Sequence, residues 1–178
     1  MQTPPRPRPS PGPILPRRAL LRTVGLGGLA PLLGLTRPAA AAPSPIPFPT
    51  SRVAVVTHDG RRYVFTVEVA RTPTQRARGL MYRRRLAPDH GMLFDFGGIG
   101  ARAMWMKNTY VALDILFLEN DGRIWSIAAE TTPLSEAILP AQGPIRAALE
   151  LNAGTCRLLG IEVGDVVEHP LFGHPPVP

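Results

Sequence analysis

The sequence predicts a single, mainly β domain, a small sandwich or barrel with one or two short helices, and three observations predict it. Short runs of β-branched and aromatic residues recur along the chain, turn signals separate them, and one segment alone carries a complete helix cap. Many short strands with turns between them bury their apolar faces in a closed or stacked sheet. At 178 residues the chain is long enough to build a real core as one domain.

The first two strands are read from Val53, Val55 and Val56 within 52–57, and from Tyr63, Phe65, Val67 and Val69 alternating with their neighbours through 62–70. Between them lies His58-Asp59-Gly60-Arg61. Asp-Gly tolerates the positive φ of a tight primed turn, so the pair reads as a hairpin. At Thr72-Pro73-Thr74-Gln75 the period changes. Threonine at the N-cap, proline at the first helical position and glutamine three beyond the cap form a capping box. Gly79 supplies the left-handed stop, which predicts a helix of about two turns over Pro73 to Arg78.

Beyond the helix, Pro88-Asp89-His90-Gly91 is a turn and Met92 to Phe96 an apolar strand, followed by Gly97-Gly98-Ile99-Gly100, expected as a flexible loop. Further strands are expected at 102–107, 111–118 and 123–128, the last two joined by Asn120-Asp121-Gly122. Residues 131–144, with three prolines, read as a long irregular connection. Ile145 to Leu151 is another strand, Cys156 to Leu159 a single helical turn, and 160–167 a turn and final strand. The Pro-rich tail 170–178 is expected to be disordered. The domain is thus bounded at 52–169, preceded by a Pro-rich linker over 43–51.

Residues 1–42 are of another kind. Arg17-Arg18-Ala19-Leu20-Leu21-Arg22 is followed by the apolar run Thr23 to Leu35 and then by Ala39 to Ala42. A charged region, an apolar region and a small-residue end make a cleaved export signal, and the paired arginines resemble its twin-arginine class. The apolar run is too short to span a bilayer. Cleavage near Ala41 or Ala42 would deliver a periplasmic or secreted bacterial protein, translocated already folded. This leader also explains the charge. The chain's formal +7 includes six leader arginines and no leader acid, so the remainder, with 14 basic and 13 acidic groups, is near +1. That balance lacks the electrostatic footprint of nucleic-acid binding. Residues 50–107 hold 11 basic and 4 acidic groups and residues 108–178 hold 3 and 9, an asymmetry read as internal pairing or solvated surface.

Several blocks suggest a family. Gln75 to Met81, Gly91 to Phe96, Trp105-Met106-Lys107-Asn108-Thr109 with Leu113-Asp114-Ile115, Leu149-Glu150-Leu151 and Ile161 to Asp165 resemble, in order and spacing, the domain of unknown function 192 family. The resemblance covers about residues 65–168. It implies a mostly β, jelly-roll-like sandwich and relatives that often carry export signals, and it implies no reaction. Val111-Ala112-Leu113-Asp114 lacks the proline usual before Leu-Asp, and Ala141-Gln142-Gly143-Pro144 stands where many members have a Tyr-Ser pair.

The candidate ligand-binding residues are Arg76, Trp105, Lys107, Asn108, Asp114 and Glu150. Met104 to Thr109 holds one of two tryptophans and the only lysine, and Asp114 lies in an otherwise apolar run. A buried charge needs a partner or a ligand. Antiparallel pairing through Asn108-Thr109-Tyr110 would bring Lys107 and Asp114 together, as a structural ion pair or as a ligand site. Glu150 is expected to face solvent. Arg76 and Arg78, with Arg83 to Arg85 beyond, either recognise an anion or form a solvated basic surface. Met81, Met92, Met104 and Met106 are candidates for Cu(I), with apolar packing as the plain expectation. The lone Cys156 cannot form an internal disulfide and is expected to be buried. The histidines show no metal-ligand spacing, and neither a nucleophile elbow nor a phosphate loop is present. No cofactor is predicted. The leading reading is a non-enzymatic exported module that binds a small polar or anionic ligand or an envelope partner. The alternatives are an enzyme acting on envelope carbohydrate through Lys107, Asp114 and Glu150, and a Met-rich copper-binding protein.

Overall fold

A computed structural model describes residues 46–178; the export signal expected over 1–42 lies outside the described residues. The elements in order are β1 (Thr50–Val56), β2 (Arg62–Ala70), α1 (Pro73–Arg78), β3 (His90–Met104), β4 (Leu113–Leu118), β5 (Ile124–Ala128), β6 (Leu139–Asn152), α2 (Thr155–Leu159) and β7 (Val166–Glu168). They form one mainly β, seven-stranded sheet in the order β5-β4-β6-β3-β2-β1-β7. Every pairing is antiparallel except β2 with β3. The sheet curls into a half-barrel, and its two ends meet where Arg123 bridges to Val166. At that seam the Ile124 amide donates to the Asp165 carbonyl at 2.8 Å, and the Val167 amide to the Gly122 carbonyl at 2.8 Å. Gly122 is required there: φ is +86°, and a Cβ would lie 2.3 Å from the Val167 carbonyl oxygen.

Both faces of the sheet are buried, the inner one by curling and the outer one by the segments that carry Leu80 and Met106. Val53, Val55, Phe65, Val67, Leu93, Leu116, Leu149, Leu151 and Val167 pack inside the curl, closed by Cys156 and Phe172. Met92, Phe94, Ile115, Phe117, Ile145 and Ala148 point the other way and pack against Leu80, Met106 and Leu113. Successive strand residues face opposite sides, so a strand covered on both reads as an unbroken apolar run. β4 is such a strand, with all six residues buried.

The hairpin β1–β2, the helix Pro73–Arg78 and the β4–β5 hairpin stand where the sequence places them. Four stretches differ. Gly97 to Gly100 is no loop: it lies inside β3, where pairing with β6 shifts register between Asp95 and Gly100, the bulge that strand glycines mark. β3 ends at Met104, so Trp105, Met106 and Lys107 are not in a strand; Asn108 takes φ 56° in a turn closed by the Thr109 amide on the Met106 carbonyl at 3.0 Å. β6 begins at Leu139, inside the expected irregular connection, and includes Pro140 and Pro144. Those prolines pair with β3 alone, whereas β4 joins β6 only from Ala147 onward. Their missing N–H groups cost no rung of the ladder to β4. The tail is ordered at its start, where Pro170–Phe172 forms a 3₁₀ turn and buries Phe172.

A half-open cavity floored by a buried glutamate

The side chains of chemical interest meet in a cavity of about 260 Å³. One wall is α1 and its exit, from Arg76 to Met81; the other is Phe94, Phe96, Ala103 and Met104 of β3, with Trp105, Thr109 and Glu150 completing it. The first wall is held by local chemistry. Thr72 Oγ1 accepts from the Gln75 amide at 3.2 Å, and Gln75 Oε1 accepts from the Thr72 amide at 3.0 Å. Gln75 Nε2 also donates to the Pro47 carbonyl at 2.7 Å, tying the helix to the chain before β1. Pairing of β2 with β3 stops at Ala70 and Phe94. Arg76 takes over there, its Nη1 donating to the carbonyls of Arg71 and, at 3.0 Å, Asp95. The remaining guanidinium N–H groups of Arg76 make no hydrogen bond among the described residues, and neither Arg76 nor Arg78 has an acidic partner there. Arg78 lies over the Tyr82 ring, 4.5 Å from its centroid.

Glu150 is not on the surface. It pairs with Met92 of β3 on one side and Ile115 of β4 on the other, and is 4% exposed. Its Oε2 is the one buried side-chain polar atom without a hydrogen-bond partner among the described residues. Burial pushes its carboxyl up to about 8, which favours the neutral form, a carboxyl able to donate an O–H. Above it Trp105 is 43% exposed, with Lys107 Nζ 5.2 Å from its ring centroid.

The remaining residues singled out in the sequence go elsewhere. Lys107 and Asp114 form no pair: Lys107 Nζ lies 3.4 Å from Glu136 on the surface. Asp114, fully buried, accepts from the backbone amides of Glu130 at 2.8 Å, Gly154 at 3.2 Å and Cys156 at 2.8 Å. It is an anchor for the turn that opens α2. Asn108 shapes its turn, accepting at its carbonyl from the Tyr82 amide at 2.8 Å. Lys107, Asp114 and Glu150 therefore do not assemble as one acid/base set. Met92 and Met106 are core, Met106 Sδ taking the Thr131 hydroxyl at 3.2 Å, while Met81 and Met104 line the cavity. No group of three histidine, cysteine or acidic residues that would hold a metal occurs among the described residues. Burial pushes the Cys156 thiol up, with Asp114 adding to the effect, which makes it a poor nucleophile. The contact of Ser51 Oγ with His169 Nε2 at 2.9 Å is no catalytic dyad, because Nδ1 accepts from the Leu171 amide. The proton then sits on Nε2, which donates to the serine.

Phe94, Phe96 and Thr109 are cavity residues that sequence reasoning missed. Their signal lay in Gly79, whose tight approach to the Phe94 ring, 3.0 Å from where a Cβ would stand, brings the helix exit onto β3. No helix among the described residues is long and apolar enough to cross a membrane.

Fold and cavity together define a small curled-sheet domain with a half-open, polar-floored pocket. Residues 54–169 match DUF192, described as an uncharacterized ACR, and the chain belongs to that family. It is similar to a protein of Sinorhizobium meliloti 1021, described as a candidate transcription regulator, with 48% identity over 72% of this chain and 99% of the other and a TM-score of 0.70. It is also similar to a protein of unknown function from Novosphingobium aromaticivorans DSM 12444, with 42% identity over 73% of this chain and 94% of the other and a TM-score of 0.66. No curated protein matches.

Two outcomes follow for the buried acids. Asp114→Ala leaves three amides without their acceptor and is expected to cost about 3 kcal/mol in a denaturant melt; a loss below about 1 kcal/mol contradicts the anchor. Glu150 has its folded value raised from 4.5 to about 8. It adds no pH-dependent cost below about 4.5; as pH rises from there to about 8 the unfolded chain ionises first and stability falls, at up to about 1.4 kcal/mol per pH unit, the loss being complete above about 8. Subtracting the stability–pH curve of Glu150→Gln should isolate that slope, and curves that run parallel contradict it.

Proposed function

We propose that the domain is a non-enzymatic module whose cavity takes a small ligand with an apolar body and a polar or anionic group. The observation that carries this reading is the unpartnered Glu150 carboxyl lining an open pocket in which Phe94, Phe96 and Trp105 face Arg76 and Arg78, two arginines with no acidic partner among the described residues. Small-molecule sites are of this kind, apolar with a few convergent polar groups. A second cavity, between β2, the 86–89 turn and α2, is larger at about 530 Å³ and lined by Tyr63, Phe65, Leu86, Leu158 and Leu159. It is less favoured because no buried, unsatisfied polar group faces it.

The enzyme alternative is weakened by the separation of Lys107, Asp114 and Glu150. The regulator description of the S. meliloti relative does not transfer readily: α1 and α2 have six and five residues, shorter than a groove-reading helix, and the chain after residue 42 is near +1. Of the four methionines, Met81 and Met104 alone line the cavity, and they stand on its two different walls, which is thin support for copper binding. Export to the periplasm or beyond is part of the proposal and rests on the order of charged, apolar and small-residue segments in 1–42. Arg17→Lys with Arg18→Lys should retain the precursor inside the cell, and undiminished export contradicts the twin-arginine route.

The binding claim is tested with full-length Trp125→Phe protein, in which Trp105 is the remaining tryptophan. A library of small organic acids is screened by its fluorescence and by amide chemical shifts. Hits should perturb Trp105 and the Arg76–Met81 amides and weaken about tenfold in Arg78→Ala. Hits that perturb Tyr63 and Leu158 instead move the site to the larger cavity.

A further inference from the structure

The cavity has two polar poles of different character. At the mouth are Arg76 and Arg78, fixed positive charges with N–H groups to spare and no acidic partner among the described residues. At the floor is Glu150, 4% exposed, with a carboxyl oxygen that meets no donor or acceptor. Glu150 forms no ion pair among the described residues, and burial is what raises its carboxyl. Between the poles lie Phe94, Phe96, Met104 and Trp105.

A ligand's charge is costly at the floor, where nothing compensates it, and favourable at the mouth. A protonated glutamate needs an uncharged acceptor for its hydrogen, which a carbonyl or hydroxyl oxygen supplies. An amine satisfies neither requirement, because it must pass two guanidinium groups and then meet a neutral acid. Building on the proposed binding role, we infer that the ligand is a small organic acid with a second, uncharged oxygen: its carboxylate sits on Arg76 and Arg78, and its carbonyl or hydroxyl oxygen accepts from Glu150. The apolar body spans the aromatic wall.

Binding of this kind is linked to protons. Beside Glu150 stand Met92 of β3 and Ile115 of β4, and Phe94, Trp105 and Thr109 line the cavity with it. α1 contributes Arg76 and Arg78, which stay charged throughout, while Asp95 is engaged by Arg146 and Lys107 by Glu136. Glu150 is thus the group whose ionisation changes the floor, turning a donor into an anion that repels the ligand oxygen.

The test uses full-length protein, calorimetry and three matched probes: 4-oxo-4-phenylbutanoate, 4-phenylbutanoate without the ketone, and butyrophenone without the carboxylate. The keto acid should bind about tenfold or more tightly than either comparator. Its affinity should fall from about pH 6 to about pH 9 as Glu150 ionises. Glu150→Gln retains a donor and should keep the affinity while losing that pH dependence; Glu150→Leu should lose the preference for the ketone. Equal binding of keto acid and 4-phenylbutanoate, or an unchanged pH profile in Glu150→Gln, overturns the role of Glu150. Equal binding of butyrophenone overturns the role of the arginines. If none of the three binds, the ligand class is wrong, whereas the binding role itself stands or falls with the organic-acid screen at Trp105.

Discussion

Strand β6 is paired along both edges through Ala147 to Leu151 and covered on both faces, and the rest of the domain is arranged around that constraint. Its odd residues from 147 to 151 fill the interior of the curl, and its even residues belong to the outer cluster. No side chain on this stretch reaches bulk water unaided. A carboxyl at position 150 can be relieved only through the cavity that α1 and β3 leave open above it. Curling closes the inner face on itself, while the outer face, which Glu150 shares with Met92 and Ile115, is covered by Leu80 and Met106 from the segments that follow α1 and β3.

Two buried acids show how differently the fold treats charge. Asp114 receives three backbone N–H groups, so its oxygens are satisfied inside the protein. In return it fixes the approach of α2 to β4 and keeps the amides of Gly154 and Cys156 satisfied. Glu150 receives none, and burial favours its neutral form. Leaving a buried polar atom unpaired costs on the order of 1–3 kcal/mol, which a structure optimised for stability alone would avoid. An apolar residue of similar size would suit the outer cluster better. On the proposed reading, the glutamate is kept for a ligand that enters the cavity.

Much of the fold was legible because its signals are local. Asp59-Gly60 and Asn120-Asp121-Gly122 declared their hairpins, and Thr72 with Gln75 declared the helix, since each works through side chain and backbone within a few residues. Gly97 to Gly100 was misread because a bulge depends on the partner strand, which the local sequence does not name. Pro140 and Pro144 hid the start of β6 for the same reason, being tolerable only because β4 is absent there. The site was legible in part. Arg76, Trp105 and Glu150 share one cavity, yet the exposure expected of Glu150 assumed a strand with one wet face. Lys107 and Asp114 looked like partners on the premise that Trp105 to Lys107 continues a strand, and the turn at Asn108 sends them apart.

The state of Glu150 in the ligand-free protein is the most direct test of this account. Protein labelled with ¹³C at glutamate side-chain carboxyls, with the Glu150 resonance assigned by its loss in Glu150→Gln, can be titrated by NMR. The account predicts that this resonance remains at the protonated position through neutral pH, titrates near 8 and moves when a keto acid is added. Titration near 4.5, the ordinary glutamate value, with no response to ligand, would contradict it.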